Sequence, residues 1–411
     1  GMAVGPDFLP EFPSIDGIRI AVVEAGIKKP NRKDLVLIEL AAGSVCSGVF
    51  TQNAFCAAPV ILSKSHLAKA GFAENTPAYL LINTGNANAG TGSSGMNDAL
   101  ESCCVLANEL GVQADQVLPF STGVIGEKLP LEKMAAAMPK LSSALLGDAW
   151  GDAASGIMTT DTRPKGSTRQ IIYGGHSIKI NGISKGAGMI KPNMATMLCF
   201  IGTDATLSQN LVDGLVKELA EQSFNRITID GDTSTNDACM LFASGQSSAL
   251  EIDPAHPDYP VFKQALSEVF IELAHAIVKD GEGATKFVSV EIQGASSKEE
   301  ALEVAYTIAH SPLIKTALFA SDPNWGRILA ALGRANIENL ALDKVDIYLG
   351  DVCIVEAGGK CEHYVEECGQ SVMNQDEITI SVRLNRGDIT ETVWTCDFSH
   401  EYISINAEYR T

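Results

Sequence analysis

Apolar residues recur along this chain with two periods. Over 96–110 (MNDALESCCVLANEL) they return every three to four positions, the spacing of one helix face, and Gly111 follows as a C-cap. The same period predicts helices over 131–146, 208–223, 261–279 and 298–310. Strands are predicted over 18–24, 35–40, 78–83, 169–180, 196–202, 286–293, 377–384 and 401–406. The segment 286–293 (KFVSVEIQ) alternates apolar and polar residues, as a half-buried strand does. Strands fall both in hairpin-like pairs and between helices. That mix predicts an α+β protein, a layered α/β sandwich with mixed sheets, over a doubly wound parallel sheet.

The segments between these elements are rich in Gly, Asn and Thr. They include 83–95 (NTGNANAGTGSSG), 121–127 (STGVIGE), 185–196, 230–237 (DGDTSTND), 280–286 (DGEGATK) and 321–327 (SDPNWGR). Small polar residues cost backbone entropy and bury little. Several such loops in one chain suggest that some converge on a site, although any one alone reads equally well as a turn. No repeat of fixed short period and no low-complexity tract interrupts the pattern.

Composition narrows the function. The 411 residues are 45% hydrophobic, enough for a sizeable core. Basic side chains number 30 and acidic ones 50, a net charge of -20. Nucleic acid and anionic lipid both demand concentrated Lys and Arg, so neither is an expected partner. No apolar run is long enough to span a bilayer, and the first residues do not read as a secretory signal. The 10 cysteines are too scattered for a disulfide framework, so a reducing cytoplasm is the expected compartment. Cys361, His363 and Cys368 fit no common zinc spacing, and Asp230, Asp232 and Asp237 lack a full calcium-loop pattern, so no metal is expected.

The segment 185–200 reads KGAGMIKPNMATMLCF. Thr196 stands where a Gly- and Pro-containing loop meets an apolar run. A threonine hydroxyl is a weak nucleophile without a base. If Thr196 were the first residue of a chain, its own α-amino group, with a reference pKa of about 7.7–8.0, would be that base. The amine must be freed by cutting after Ala195. The Thr196 hydroxyl can do this by attacking the Ala195 carbonyl in an N-to-O acyl shift, followed by ester hydrolysis. As a bare dipeptide, Ala-Thr carries no such message.

The surrounding blocks supply it. KGAGMIKPNMATMLCF (185–200) resembles the signature of the ornithine acetyltransferase family, also called glutamate N-acetyltransferase. The resemblance extends through GIKKPNRKDLVLI (26–38), FTQNAFCAAPV (50–60), LINTGNANAGTG (81–92), STGVIGEKLP (121–130) and IMTTDTRPK (157–165). It continues through SFNRITIDGDTSTNDA (223–238), DGEGATKF (280–287), KTALFASDPNWGRI (315–328) and INAEYRT (405–411). Gly90 and Ala54 depart from the family's usual Cys and basic residue, in blocks that do not supply the nucleophile. The resemblance implies the self-processing fold shared with DmpA-like aminopeptidases. It implies an α chain of 1–195 and a β chain of 196–411, paired and doubled into a heterotetramer.

The implied reaction moves acetyl from Nα-acetylornithine to glutamate, giving ornithine and N-acetylglutamate. Some members also take acetyl from acetyl-CoA; no cofactor is implied. Thr196 would be the nucleophile and Thr122 with Gly123 the oxyanion hole. Thr162, Lys185, Glu282, Asn406 and Thr411 match the family's substrate contacts. Lys185 suits an α-carboxylate, and Glu282 the δ-ammonium of ornithine, with Asp280 the competing anion. Two other readings share these residues: a self-cleaving amidohydrolase or aminopeptidase with water as acceptor, and a silent binding protein that keeps the fold.

Overall fold

The computed structural model describes residues 4–5, 9–50, 56–69, 76–186, 197–229, 237–281 and 283–397. Two compact units divide the chain, one formed by 7–225 and 232–277, the other by 1–6, 226–231 and 278–411.

In the first unit the strands are β1 (Ile18–Val23), β2 (Leu35–Leu40), β3 (Val45–Phe50), β4 (Ala78–Asn86), β5 (Val117–Val124), β6 (Lys165–Tyr173), β7 (His176–Lys185), β8 (Leu198–Thr203) and β9 (Ala238–Ala243). Its helices are α1 (Ala58–Ala68), α2 (Gly92–Leu110), α3 (Leu131–Ser143), α4 (Trp150–Gly156), α5 (Gln209–Glu221) and α6 (Tyr259–Lys279), the last crossing into the second unit at its end. One sheet has the order β1-β2-β4-β5 and the other β3-β9-β8-β7-β6. Pairings are antiparallel except β4 with β5 and β8 with β9.

The two sheets face one another. Val36, Ile38 and Leu40 of β2, with Leu80 and Ile82 of β4, meet Leu198, Phe200, Met240 and Phe242 in one core. The rings of Phe120 and Phe200 meet edge to face across this layer, with centroids 5.1 Å apart. Leu35, Leu37, Tyr79 and Leu81 point the other way, into a second core with Ala99, Cys103 and Leu106 of α2 and Met134 and Met138 of α3. Both faces of the central strands are thus buried. This explains why β2 reads as a nearly unbroken apolar run rather than an alternating one.

The expected single strand over 169–180 is a hairpin of β6 and β7. It closes at Gly174 and Gly175, with φ of 55° and 86°, as a two-residue turn requires. Strand β9 (ACMLFA) is buried at every position and lacks the alternation that marks a strand in sequence.

The second unit carries β10 (Phe287–Ala295), β11 (Asp346–Leu349), β12 (Val352–Glu356), β13 (Gly359–Lys360), β14 (Glu377–Arg383) and β15 (Ile389–Cys396), in the order β13-β12-β11-β14-β10-β15. Its helices are α7 (Lys298–Ala309), α8 (Pro312–Phe319), α9 (Trp325–Arg334) and α10 (Glu366–Met373). Val288, Val290 and Ile292 of β10 share a core with Val304, Ala305 and Ile308 of α7. The alternation predicted from KFVSVEIQ is present, with Ser289 and Glu291 less buried than their neighbours.

The expected division at 195/196 does not follow these units. The five-stranded sheet takes β3, β6 and β7 from before that junction and β8 and β9 from after it. Lys185 and Leu198 are paired across it.

Among the described residues, no helix is long and apolar enough to cross a membrane. No disulfide joins any of the ten cysteines, all of which are among the described residues.

Candidate functional site

Ser121, Thr122 and Gly123 were expected in a loop; they are the end of β5. Glycine disfavours strands and threonine favours them, so local preference does not settle this triplet. Here the parallel partner decides, with Asn83 beside Ser121, Thr84 beside Thr122 and Gly85 beside Gly123. The Ser121 hydroxyl donates to the Asn83 side chain. Thr122 is fully buried.

Gly123 has φ of 131°, and a Cβ there would lie 2.3 Å from the carbonyl carbon of Gly85 and 2.5 Å from the amide nitrogen of Asn86. Only glycine fits this approach. Gly123→Ala must therefore push β5 from β4 at the candidate oxyanion donor. We expect kcat to fall about 100-fold or more, with backbone strain of about 1–3 kcal/mol. Steady-state kinetics beside a melting curve would check this; a kcat within twofold of the parent would remove Gly123 from the reaction.

The side chains of the Asn-rich 83–95 segment bind backbone carbonyls, both within it and beyond it. Asn86 Nδ2 donates to the carbonyls of Glu127 and Lys128, and Asn88 Nδ2 to that of Gly95. The segment ties down the chain that follows β5 and supplies turn chemistry, as one reading of such a segment allows.

Lys185 ends β7 and is buried, with 1% of its surface exposed. Its Nζ donates to Thr122 Oγ1 at 3.0 Å and to Thr159 Oγ1 at 2.6 Å. The ends of β5 and β7 are thereby joined by a cation. A hydroxyl whose lone pair faces an ammonium directs its own O–H elsewhere. This is the polarity an oxyanion donor needs.

Asp161 sits beside them. Its Oδ2 accepts from Lys165 Nζ at 2.6 Å and from the Gly186 amide at 2.8 Å, and its Oδ1 from the Thr159 amide at 3.2 Å. Burial alone would raise this carboxyl. The ammonium groups of Lys165 and Lys185 and the Gly186 N–H outweigh it and hold the carboxyl down at about 2. Asp161 is thus an anion across the working pH range. Asp161, Lys165 and Thr159 were not singled out from sequence. The only signal was an Asp and a Lys four apart in the Thr-rich run, which reads equally well as a turn.

Thr162, chosen from the same run, lies next to Asp161 and is exposed. Ala195, Thr196, Glu282, Asn406 and Thr411 lie outside the described residues, as do Asp230 and Asp232. Thr196 stands two positions before Leu198 in sequence.

Asp280, in the second unit, is buried at 1% exposure. In that unit Asp397 accepts from the amides of Thr285 and Lys286 at 2.8 and 2.9 Å and from the Thr285 hydroxyl. It anchors the DGEGATK loop beside its exit into β10. Among the described residues, no group of three or more His, Cys, Asp or Glu side chains is placed to hold a metal ion.

Comparison with known proteins agrees with the sequence blocks. The ArgJ family model matches residues 19–411. An arginine biosynthesis bifunctional protein of Pseudomonas fluorescens is 55% identical over 411 residues, all of both chains. Its counterpart in Methylococcus capsulatus is 53% identical over 97% of this chain and 96% of its own. A solved arginine biosynthesis bifunctional protein from Bacillus halodurans is 38% identical, covering 50% of this chain and 96% of that one, with a TM-score of 0.48. By the extent of the family match and by identity to relatives of the same length, the chain belongs to the ArgJ family.

Proposed function

We propose that this chain transfers an acetyl group from Nα-acetylornithine to glutamate in arginine biosynthesis, through an acetyl ester on Thr196. The observation that carries the reading is the Lys185–Thr122 contact at the ends of β7 and β5, in a chain 55% identical to a bifunctional arginine biosynthesis protein.

The chemistry begins with self-cleavage. Thr196 Oγ attacks the Ala195 carbonyl, the peptide becomes an ester, and water hydrolyses it. Pieces 1–195 and 196–411 remain, and Thr196 gains an α-amine. That amine takes the Oγ proton as the oxygen attacks the acetyl carbonyl. The Thr122 hydroxyl and the Gly123 N–H hold the resulting oxyanion. Collapse expels the ornithine α-amine, which takes the proton back. The glutamate amine then attacks the ester, and N-acetylglutamate leaves.

Both substrates carry an α-carboxylate. Lys185 is its partner, and Glu282 takes the ornithine δ-ammonium. Thr162, Asn406 and Thr411 complete the contacts the resemblance implies. Acetyl-CoA serves as a second donor, in keeping with the bifunctional relatives. The two pieces pair and double into a heterotetramer that works in the cytoplasm.

A covalent acetyl-enzyme requires ping-pong kinetics. Double-reciprocal plots for acetylornithine at several glutamate concentrations should be parallel. Mass spectrometry of enzyme held with acetylornithine alone should find one acetyl group on the 196–411 piece. Intersecting lines with no acetylated piece would overturn the route. Free acetate released at a rate independent of glutamate would make the enzyme a hydrolase.

A further inference from the structure

We infer that Asp161 and Thr159 are positioning residues for Lys185, fixing the ammonium that meets the substrate carboxylate. The inference rests on the reading of Lys185 just given and adds what makes that lysine usable.

A lysine stem has four rotatable bonds and about 2 kcal/mol of rotamer entropy. An ammonium free to wander would bind a carboxylate poorly and would not hold Thr122 in place. Here both ends of the lysine are tied, each through a neighbouring residue, to one carboxylate. At the tip, Lys185 Nζ donates to the Thr159 hydroxyl at 2.6 Å. Thr159 is itself held, its amide donating to Asp161 Oδ1 at 3.2 Å. At the root, the amide of Gly186, the next residue in the chain, donates to Asp161 Oδ2 at 2.8 Å. The same oxygen takes Lys165 Nζ at 2.6 Å, and Lys165 opens β6 opposite Ser184 of β7. Donors from three places, the 159–161 turn, the start of β6 and the exit of β7, thus meet on one buried side chain.

A simpler role competes: Asp161 is the counter-ion of Lys165 and nothing more. A buried lysine and a buried carboxylate need each other whatever else they do. The two roles separate by substitution. Thr159→Val removes the hydroxyl that orients Lys185 but leaves the Asp161–Lys165 pair intact. Asp161→Asn combined with Lys165→Gln removes the pair together and leaves no uncompensated charge between those two residues. Each would be made in the full chain and compared with the unsubstituted enzyme and with Lys185→Met.

We expect Thr159→Val to melt cooperatively and to split into two pieces as the parent does. Its KM for acetylornithine and for glutamate should each rise about 10-fold, with kcat changed less. The double variant, if folded, should show the same joint rise in both KM values. A merely structural change would lower the active fraction and hence kcat, leaving KM alone. KM values within twofold of the parent in Thr159→Val would overturn the proposal, whether or not the double variant folds. So would a folded double variant with parental KM values, which would leave Asp161 as a counter-ion. Failure of the underlying reading looks different: Lys185→Met would then keep both KM values, or the unsubstituted chain would neither split nor transfer acetyl.

Discussion

Thr196→Ala will run as a single band of about 43.5 kDa on denaturing electrophoresis, where the unsubstituted chain gives two bands near half that mass. Alanine has no oxygen to attack the Ala195 carbonyl, so the bond stays closed. On the proposed route the same loss removes both nucleophile and base, because without the cut there is no α-amine. We expect acetyl transfer to fall by about 10⁴-fold, the scale on which a covalent nucleophile is removed. Thr196→Ser is the control: it retains a hydroxyl and should still split, at its own rate. An unsubstituted chain that stays full length and transfers acetyl at the normal rate would end the N-terminal nucleophile reading.

Lys185→Met is the second large effect. Methionine keeps much of the stem's volume in a site with almost no exposure and removes the charge. The donor to Thr122 and the donor to Thr159 are lost, and with them, on the proposed reading, the partner of the substrate carboxylate. A charge-assisted bond to a carboxylate is worth about 1.5–3 kcal/mol. The expected fall in kcat/KM is therefore at least about 10- to 150-fold, shared between the acetylornithine and glutamate half-reactions. Measuring each half-reaction separately is the test. A loss confined to one substrate would mean that Lys185 does not hold the carboxylate common to both. Lys185→Arg should rescue little, since a planar guanidinium cannot occupy a point-charge position between two hydroxyls in a closed space.

Much of the frame was legible from periodicity. Helices over 92–110, 209–221, 259–279 and 298–309 and strands over 18–23, 35–40 and 377–383 lie within a few residues of the expected spans. What escaped depended on partners distant in sequence. Ser121–Gly123 reads as a turn until β4 is laid beside it, because its extended form comes from the parallel ladder and not from its own side chains. Strand β3 (VCSGVF) holds Gly48 and Ser47 inside a sheet for the same reason, paired to Met240 and Leu241. The Gly-Gly turn at 174–175 is visible in sequence but sits inside a longer stretch that reads as one strand.

The site divides along a similar line. Lys185 could be picked out because it lies in the block that carries Thr196, and Thr122 and Gly123 because their block is distinctive. Asp161 and Thr159 could not, since their role exists only where the 159–161 turn meets the ends of β6 and β7. No local pattern encodes that meeting. Thr162 shows the converse: it is matched by resemblance and stands exposed beside buried Asp161.

The five-stranded sheet that takes strands from both sides of Ala195–Thr196 has a consequence for how such a protein can be made. In one continuous chain, pairing β7 with β8 is a loop closure whose entropy cost grows only slowly with loop length. Once the bond is cut, the same pairing is an encounter between two molecules and depends on dilution. The ladder and the packed layer behind Phe200 keep the pieces together, but nothing covalent brings them back after denaturation. The processed form then persists by the slowness of its unfolding rather than by ready reassembly. Its architecture is an inheritance from the intact precursor, and the two pieces synthesised separately would begin without it.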